Sequence, residues 1–310
     1  MNRYPFCIFR IPENGGRVLW EITNTCNYHC SYCMFSSEAK KYENELTTEE
    51  VKKAIKDLKG NNFTYIKFTG GEPFVRKDMV EILKYASELG FDMDISTNAS
   101  LLTSEIVKEL KAINFPMIHV SLDGYDKNLH EYVRGKNTFE PTIRGIKILT
   151  ENGIYTRLGT VIYSQNEDYL EKIVALASNL KVNEIIFSFM EPMGRLKEDD
   201  ELLSKRSLES VKKEIEEIAI KYESKIKVKY SLSENKICKS EEICPAVKRF
   251  IYINNLGEIS PCTRIVSKKQ EYKSKMTLKN NSLNEIINSE PIQKYLKYLE
   301  ANKITGCPIK

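Results

Sequence analysis

The 310-residue sequence contains no apolar run near the roughly 18 residues that a membrane-spanning helix needs. Its first residues, Met1-Asn2-Arg3-Tyr4-Pro5, lack the continuous apolar core of a signal peptide. A strong charge is also lacking, since 47 Lys and Arg against 43 Asp and Glu leave a formal net charge of +4. Lysines alternate with glutamates along the predicted helices, which is typical of solvated helix faces. We therefore expect a cytoplasmic protein that binds neither membranes nor nucleic acids.

The sequence has one Trp and three His but eight Cys. A disulfide framework is not expected in a reducing compartment, so thiolate chemistry or metal ligation is the better interpretation of the cysteines. We assign no role to His29, His119 and His130, because a lone histidine is more often a packed or surface residue than a ligand.

Between residues 18 and 189, six β-rich runs alternate with five amphipathic stretches. The predicted strands are residues 18–23, 65–69, 92–97, 117–122, 155–163 and 184–189, and the predicted helices are residues 48–58, 79–89, 104–113, 142–151 and 169–178. This alternation builds a parallel sheet with crossover helices. Six units are too few to close an eight-stranded barrel. We predict an α/β fold with a partial (β/α)6 TIM-like barrel and an active site at the carboxyl ends of its strands.

The pattern changes after a helix predicted at residues 207–223. Short strands at residues 225–230 and 250–253 follow, with a turn at Asn254-Asn255-Leu256-Gly257. The predicted organisation is therefore an N-terminal extension (1–17), a barrel domain (18–224) and a small C-terminal α+β domain (225–310).

Three cysteines, Cys26, Cys30 and Cys33, follow the first predicted strand at a spacing that lets one loop wrap one face of a small inorganic cluster. A 4Fe-4S cluster has four irons, so three cysteines leave one iron open to another ligand. Soft thiolates also select zinc, and a zinc site completed by a distant residue is the alternative.

Polar residues also end the next predicted strands. Gly70-Gly71-Glu72-Pro73 ends the second, where glycines allow the backbone to approach a ligand and Glu72 offers an acceptor for an ammonium group. Ser96-Thr97-Asn98 ends the third and could bind ribose hydroxyls or cap a helix before Leu101.

The fourth predicted strand ends in Ser121-Leu122-Asp123-Gly124, and Arg134 follows it. A guanidinium suits a carboxylate because it offers a planar pair of donors. Asp123 serves a substrate or caps the next segment, and the sequence leaves both roles open.

In this order, these motifs resemble those of the radical SAM superfamily. The resemblance implies that the amino and carboxylate groups of S-adenosylmethionine (SAM) chelate the open iron, and that the four residues from Gly70 to Pro73 bind the methionine amino group. It places Ser121 and Arg134 at the ribose and carboxylate of the cofactor. Tyr32 lies near the adenine or packs within the loop. Ser96, Asn98 and Asp123 complete the expected cofactor contacts.

Four later cysteines, Cys238, Cys244, Cys262 and Cys307, form a complete ligand set. With a hairpin predicted from residues 249–253 and 258–260, they resemble the auxiliary-cluster domains called SPASM and, in shorter form, twitch. Because the sequence ends three residues after Cys307, we expect one auxiliary 4Fe-4S cluster. Zinc on the same thiolates is the alternative. Cys7 is left as an inert thiol or, in an epimerase, a hydrogen donor.

The resemblance implies that SAM is cleaved to a 5'-deoxyadenosyl radical, which abstracts hydrogen from an unactivated carbon. We favour a peptide or protein substrate, with an amino sugar, aminocyclitol or cofactor precursor as the alternative. About seventeen residues precede the first predicted strand, so we expect any peptide-recognition module to be a separate protein. The electron donor is expected to be of the flavodoxin or ferredoxin type. A non-catalytic zinc protein would not explain the Gly-Gly-Glu-Pro motif.

Residues Glu191, Met193 and Arg195 follow the sixth predicted strand. They either face the active-site end of the barrel or form a turn that links the two domains.

Overall fold

The computed structural model describes residues 14–40, 42–113, 115–197, 200–231, 244–263, 265 and 269–302. Its strands are β1 (Gly16–Glu21), β2 (Phe63–Thr69), β3 (Asp92–Thr97), β4 (Ile118–Ser121), β5 (Thr156–Ile162), β6 (Glu184–Phe189), β7 (Lys227–Tyr230), β8 (Phe250–Ile253) and β9 (Ile259–Ser260). Over these residues they form one sheet in the order β7-β6-β5-β4-β3-β2-β1-β8-β9. Neighbouring strands from β7 to β8 are parallel, and β9 is antiparallel to β8. The predicted α/β fold with six barrel units is confirmed.

The helices are α1 (Thr48–Gly60), α2 (Met79–Glu88), α3 (Ser104–Ala112), α4 (Lys127–Arg134), α5 (Phe139–Glu151), α6 (Leu170–Asn179), α7 (Leu208–Lys221), α8 (Leu283–Ile287) and α9 (Glu290–Ala301). Helix α5 begins three residues before the predicted start, because Pro141 lies in its first turn, where no backbone N–H is needed. Helix α4 was not predicted; its N-cap Asp126 accepts a hydrogen bond from the Leu129 N–H.

The two faces of the sheet have different surroundings. Alternate residues such as Val18 and Trp20 of β1 or Ile66 and Phe68 of β2 pack into the main apolar core with the helices. Side chains alternate along a strand, so the residues between them face the interior of the partial barrel. These inner positions hold many polar residues.

The C-terminal residues join the sheet at both edges. Strand β7 pairs with β6, and β8 pairs with β1, so the sheet continues past residue 225. The division into domains at residue 225 stays a prediction. Helix α9 packs Ile292, Tyr295 and Leu299 into a second, smaller core with Ala246 and Val247. In the part of the chain that the structure describes, no helix is long and apolar enough to cross a membrane.

Candidate active site

The cysteine loop, residues 22–38, leaves β1 at the carboxyl end of the sheet. Cys26 is buried, and Cys30 and Cys33 are half-buried. The Cys26 N–H donates to the Glu38 carbonyl (2.9 Å), and the Tyr28 N–H donates to Cys26 Sγ (3.4 Å). Burial raises the pKa of the Cys26 thiol to about 12. Folding thus places three thiols on one short loop, with Cys26 fixed at its base.

This donor set suits an iron-sulfur cluster. Within the described residues, no three Cys, His, Asp or Glu side chains converge as they would around a single metal ion. The cysteines of a 4Fe-4S cluster bind separate irons, so they need no such convergence. Cys26, Cys30 and Cys33 would hold three irons and leave the fourth open.

The turn after β2 lies against the start of the cysteine loop. Gly70 has φ +148°, and a Cβ there would lie 2.2 Å from the Thr23 carbonyl oxygen. A Cβ on Gly71 would lie 2.1 Å from the Thr25 carbonyl oxygen. The Gly71 N–H donates to the Thr23 carbonyl at 2.7 Å. Because Gly70 and Gly71 have no side chains, the backbone of this turn lies directly against the backbone of the cysteine loop.

Glu72 is fully buried between the ends of β2 and β3. Its carboxylate accepts hydrogen bonds from Thr97 Oγ1 (2.7 Å), the Asn98 N–H (2.7 Å) and the Phe74 N–H (3.1 Å). Burial raises its pKa to about 7, although these hydrogen bonds oppose the rise. Pro73 begins a single 3-10 turn, Pro73–Val75, behind it. Glu72 joins the carboxyl ends of two strands directly beside the cysteine loop.

Asn98 connects β3 to the cysteine loop. Its Nδ2 donates to Asn27 Oδ1 (2.9 Å), and its Oδ1 accepts from the Ser100 N–H (2.9 Å). Helix α3 is capped by Thr103. The helix-cap alternative for Asn98 is therefore wrong; its side chain contacts the cysteine loop through Asn27, and its contact with the cofactor stays a prediction.

Asp123 and Arg134 form a buried ion pair at the other side of the loop. Arg134 Nε lies 2.6 Å from Asp123 Oδ2, which also accepts from the Tyr32 hydroxyl (2.5 Å). Asp123 Oδ1 accepts from the Val161 N–H at 2.9 Å. One terminal nitrogen of the Arg134 guanidinium, Nη1, lies 4.0 Å from Cys30 Sγ. Asp123 therefore joins the cysteine loop, α4 and β5.

Comparison with known proteins shows the family of this chain. The model of the radical SAM superfamily matches residues 20–177, just over half of the chain. The chain belongs to the radical SAM superfamily. This radical SAM chain is 33% identical over 186 residues (60% of the chain, 53% of the relative) to an AdoMet-dependent heme synthase of Methanosarcina barkeri. It is 32% identical over 179 residues (57% and 45%) to the mycofactocin maturase MftC of Mycolicibacterium smegmatis.

The fold resembles that of solved radical SAM enzymes. Streptococcus suis SuiB bound to its precursor peptide SuiA aligns with a TM-score of 0.76 at 18% identity, over 93% of this chain and 67% of SuiB. At this identity the likeness concerns the fold. The chain spans about half the length of each of these two curated relatives.

The structure brings the predicted SAM contacts of this radical SAM chain into two groups around the cysteine loop. Glu72 and Asn98 lie on one side, and Tyr32, Asp123 and Arg134 lie on the other. Ser96 and Ser121 are half-buried on the inner face, opposite His119 and Gly159 on the neighbouring strands. Their cofactor contacts stay predictions.

Of the three residues noted after β6, Arg195 contacts the cysteine loop through the carbonyls of Cys30 and Ser37. Glu191 and Met193 are half-buried beside it. The contacts of Arg195 place this segment over the active-site end of the barrel, which is the first of the two interpretations given for it.

Of the second cysteine set, the structure describes Cys244 and Cys262. Both pack against the small core of α9, and Cys244 Sγ lies 3.7 Å from the Tyr295 hydroxyl. The predicted hairpin is present as β8 and β9, with φ +79° at Gly257. The remaining predicted ligands, Cys238 and Cys307, lie outside the described residues, as does Cys7.

Sequence reasoning missed the charged residues that line the inner face. Glu21 is buried beside Tyr252, whose hydroxyl donates to its carboxylate. Burial raises the Glu21 pKa to about 8. Lower in the barrel, Lys67 lies 3.0 Å from Asp94. The signal was present, because these residues alternate with the apolar ones along each strand.

Two further inner-face residues belong to this lining. Arg157 lies 2.6 Å from Glu184 on the adjacent strand. His119 is held neutral, because burial lowers its pKa to about 3. The barrel interior is therefore lined by polar and charged side chains.

Proposed function

We propose that this protein binds a 4Fe-4S cluster on Cys26, Cys30 and Cys33, cleaves SAM reductively and abstracts hydrogen from a substrate carbon. The observation that carries the proposal is the cysteine loop at the carboxyl ends of the strands, held by Glu72 and Asn98 on one side and by Asp123 and Arg134 on the other. When bound, the cluster would supply the electron that converts SAM into methionine and a 5'-deoxyadenosyl radical. Cytoplasmic conditions would keep the thiols reduced.

The protein's own residues would orient the cofactor and limit side reactions. Glu72 would receive the methionine amino group, although its three hydrogen bonds show that its carboxylate also joins β2 to β3. Arg134 keeps Nη1 directed toward Cys30 while Asp123 balances its charge, so it would meet the SAM carboxylate beside the open iron. Tyr32 would close this side of the site.

The first test is iron and acid-labile sulfide content after anaerobic reconstitution, with EPR. We expect about eight irons in the wild type and about four in the Cys26, Cys30, Cys33 triple alanine variant, as two clusters require. After reduction with dithionite, the wild type should give an EPR signal that SAM changes, and SAM should be cleaved to methionine and 5'-deoxyadenosine. Cys7→Ala is the matched control and should resemble the wild type. Zinc without iron in the wild type, with no response to SAM, would overturn the proposal.

We propose a twitch-like auxiliary cluster on Cys238, Cys244, Cys262 and Cys307. Support comes from the β8-β9 hairpin between Cys244 and Cys262 and from the packing of both cysteines on one small core. With four cysteine ligands this cluster has no open iron, so it would transfer electrons, in exchange with a flavodoxin- or ferredoxin-type protein. Cys262→Ala should keep SAM cleavage and lose product. Unchanged turnover without the auxiliary cluster would contradict this role.

For the substrate, we propose a peptide or protein, a choice supported by the similarity to MftC and by the fold shared with SuiB. A small-molecule substrate is the second candidate, because a heme synthase matches at 33% identity over a similar length. A small molecule would bind to the polar inner face directly.

Deuterium transfer distinguishes the two substrate classes. The enzyme, SAM and dithionite would be incubated with size fractions of an extract from source cells grown in deuterated medium. Hydrogen abstraction from the substrate should place deuterium in 5'-deoxyadenosine, which mass spectrometry detects. A signal that protease treatment of the fraction abolishes supports a peptide. A protease-resistant signal in the smallest fraction supports a small molecule.

A further inference from the structure

The segment after β6 binds the cysteine loop through its backbone. The Arg195 N–H donates to the Cys33 carbonyl at 3.2 Å. Gly194 precedes it with φ +64°, and a Cβ there would lie 2.3 Å from the Cys33 carbonyl oxygen and 2.4 Å from that of Met34. Only a glycine lets the two segments lie this close.

The Arg195 side chain adds two contacts to the same loop. Nη1 donates to the Cys30 carbonyl at 2.9 Å, and Nη2 donates to the Ser37 carbonyl. One guanidinium therefore joins a residue within the cysteine triad to a residue beyond it. A planar fork of donors can hold two carbonyls in this way, whereas an ammonium group cannot reproduce the geometry.

Arg195 and Arg134 carry the same charge but have different neighbours. Arg134 also lies beside Cys30, but Asp123 pairs with it at 2.6 Å. Arg195 forms no ion pair with a carboxylate in the part of the chain that the structure describes; its bonds are to neutral carbonyls. Asp123 balances the charge of Arg134 directly, whereas Arg195 adds a positive charge near Cys30 whose electrostatic interaction with Glu38 is not a direct ion pair.

We propose that Arg195 is a positioning residue that fixes the cysteine loop and raises the reduction potential of its cluster. The inference rests on the proposed 4Fe-4S cluster on Cys26, Cys30 and Cys33. One-electron reduction adds a negative charge to the cluster, and a nearby positive charge stabilises that state. The cluster is thereby easier for dithionite or a one-electron carrier protein to reduce.

Two substitutions separate charge from geometry. Arg195→Gln removes the charge and should make the midpoint potential of the cluster more negative, in an EPR-monitored redox titration without SAM. Arg195→Lys keeps the charge and should keep the potential close to that of the wild type. Both variants lose the fork, so both should release iron to a chelator several-fold faster than the wild type.

Arg206→Gln is the matched control. Arg206 donates to the Glu167 carbonyl at 2.7 Å but is paired with Glu214 at 2.6 Å, so its loss should leave the potential unchanged. A wild-type potential in Arg195→Gln would overturn the electrostatic part, and wild-type iron retention in both Arg195 variants would overturn the positioning part. If Arg195→Gln fails to hold a cluster, Arg195→Lys tests the electrostatic part instead. A midpoint potential in Arg195→Lys that is clearly more negative than that of the wild type would contradict the proposal. Absence of iron in the wild type would instead refute the proposed function.

Discussion

The two faces of the sheet are stabilised by different interactions. Trp20 and Phe68 are fully buried on the helix side, with ring centroids 6.1 Å apart. On the inner face, Glu21 and Asp94 are also buried, at 5% and 3% exposure, but depend on hydrogen bonds and ion pairs. Buried apolar groups stabilise a fold by their area, whereas buried charges cost free energy unless they are paired. The apolar packing on the helix side therefore stabilises the fold, and it offsets the free-energy cost of burying polar groups on the inner face.

The largest expected difference between the two faces is a pH dependence of the free energy of unfolding that arises from Glu21. Its pKa is about 8 in the folded protein, above the ordinary value of 4.5, so the folded state retains a proton that the unfolded state loses. Stability should fall as the pH rises from 4.5 to 8 and then level off, by about 5 kcal/mol at most at 1.36 kcal/mol per pKa unit.

Glu21→Gln should remove this decline, because an amide does not ionise and still accepts from Tyr252. Anaerobic urea unfolding at several pH values, against the wild type, measures it. The two proteins should be similar near pH 5, and the variant should be the more stable above pH 8. Parallel curves across this range would mean that the buried carboxyl of Glu21 is not protonated in the folded protein.

The next effect is apolar. Phe68→Ala leaves a cavity beside Trp20 and should reduce the free energy of unfolding by about 4 kcal/mol. Ser96→Ala, on the inner face of the adjacent strand, should change it by less than about 0.5 kcal/mol. Urea unfolding gives both values. SAM binding should be weakened more by Ser96→Ala than by Phe68→Ala. Equal losses of stability would remove the distinction between the two faces.

The helix side could be predicted from the sequence because its signal is local. The apolar periodicity of each strand and helix gave the six barrel units, and the cysteine spacing with the Gly-Gly-Glu-Pro motif gave the location of the site. The inner face depends on partners that local patterns do not contain. Glu21 and Tyr252 are 231 residues apart in the chain, and Arg195 meets Cys30 across 165 residues.

The edges of the sheet were harder to predict for the same reason. The pairing of β7 with β6 and of β8 with β1 connects segments that sequence patterns assign to another domain. Helix α4 was missed because it is a short, eight-residue helix that follows a polar turn. Its Arg134 was nevertheless identified, since a charged residue within a family motif needs no secondary-structure assignment.

A third effect, smaller than those expected at Glu21 and Phe68, concerns packing on the inner face itself. A Cβ at Gly159 would lie 2.1 Å from His119 Nε2, so the imidazole occupies the space that a side chain would need. Gly159→Ala should cost about 1–3 kcal/mol by overpacking. His119→Ala opens that space, so the double variant should lose less stability than the sum of the single losses. A double-mutant cycle measures this coupling. Strict additivity would mean that the imidazole moves aside freely, and that the inner face is adaptable where the helix side is rigid.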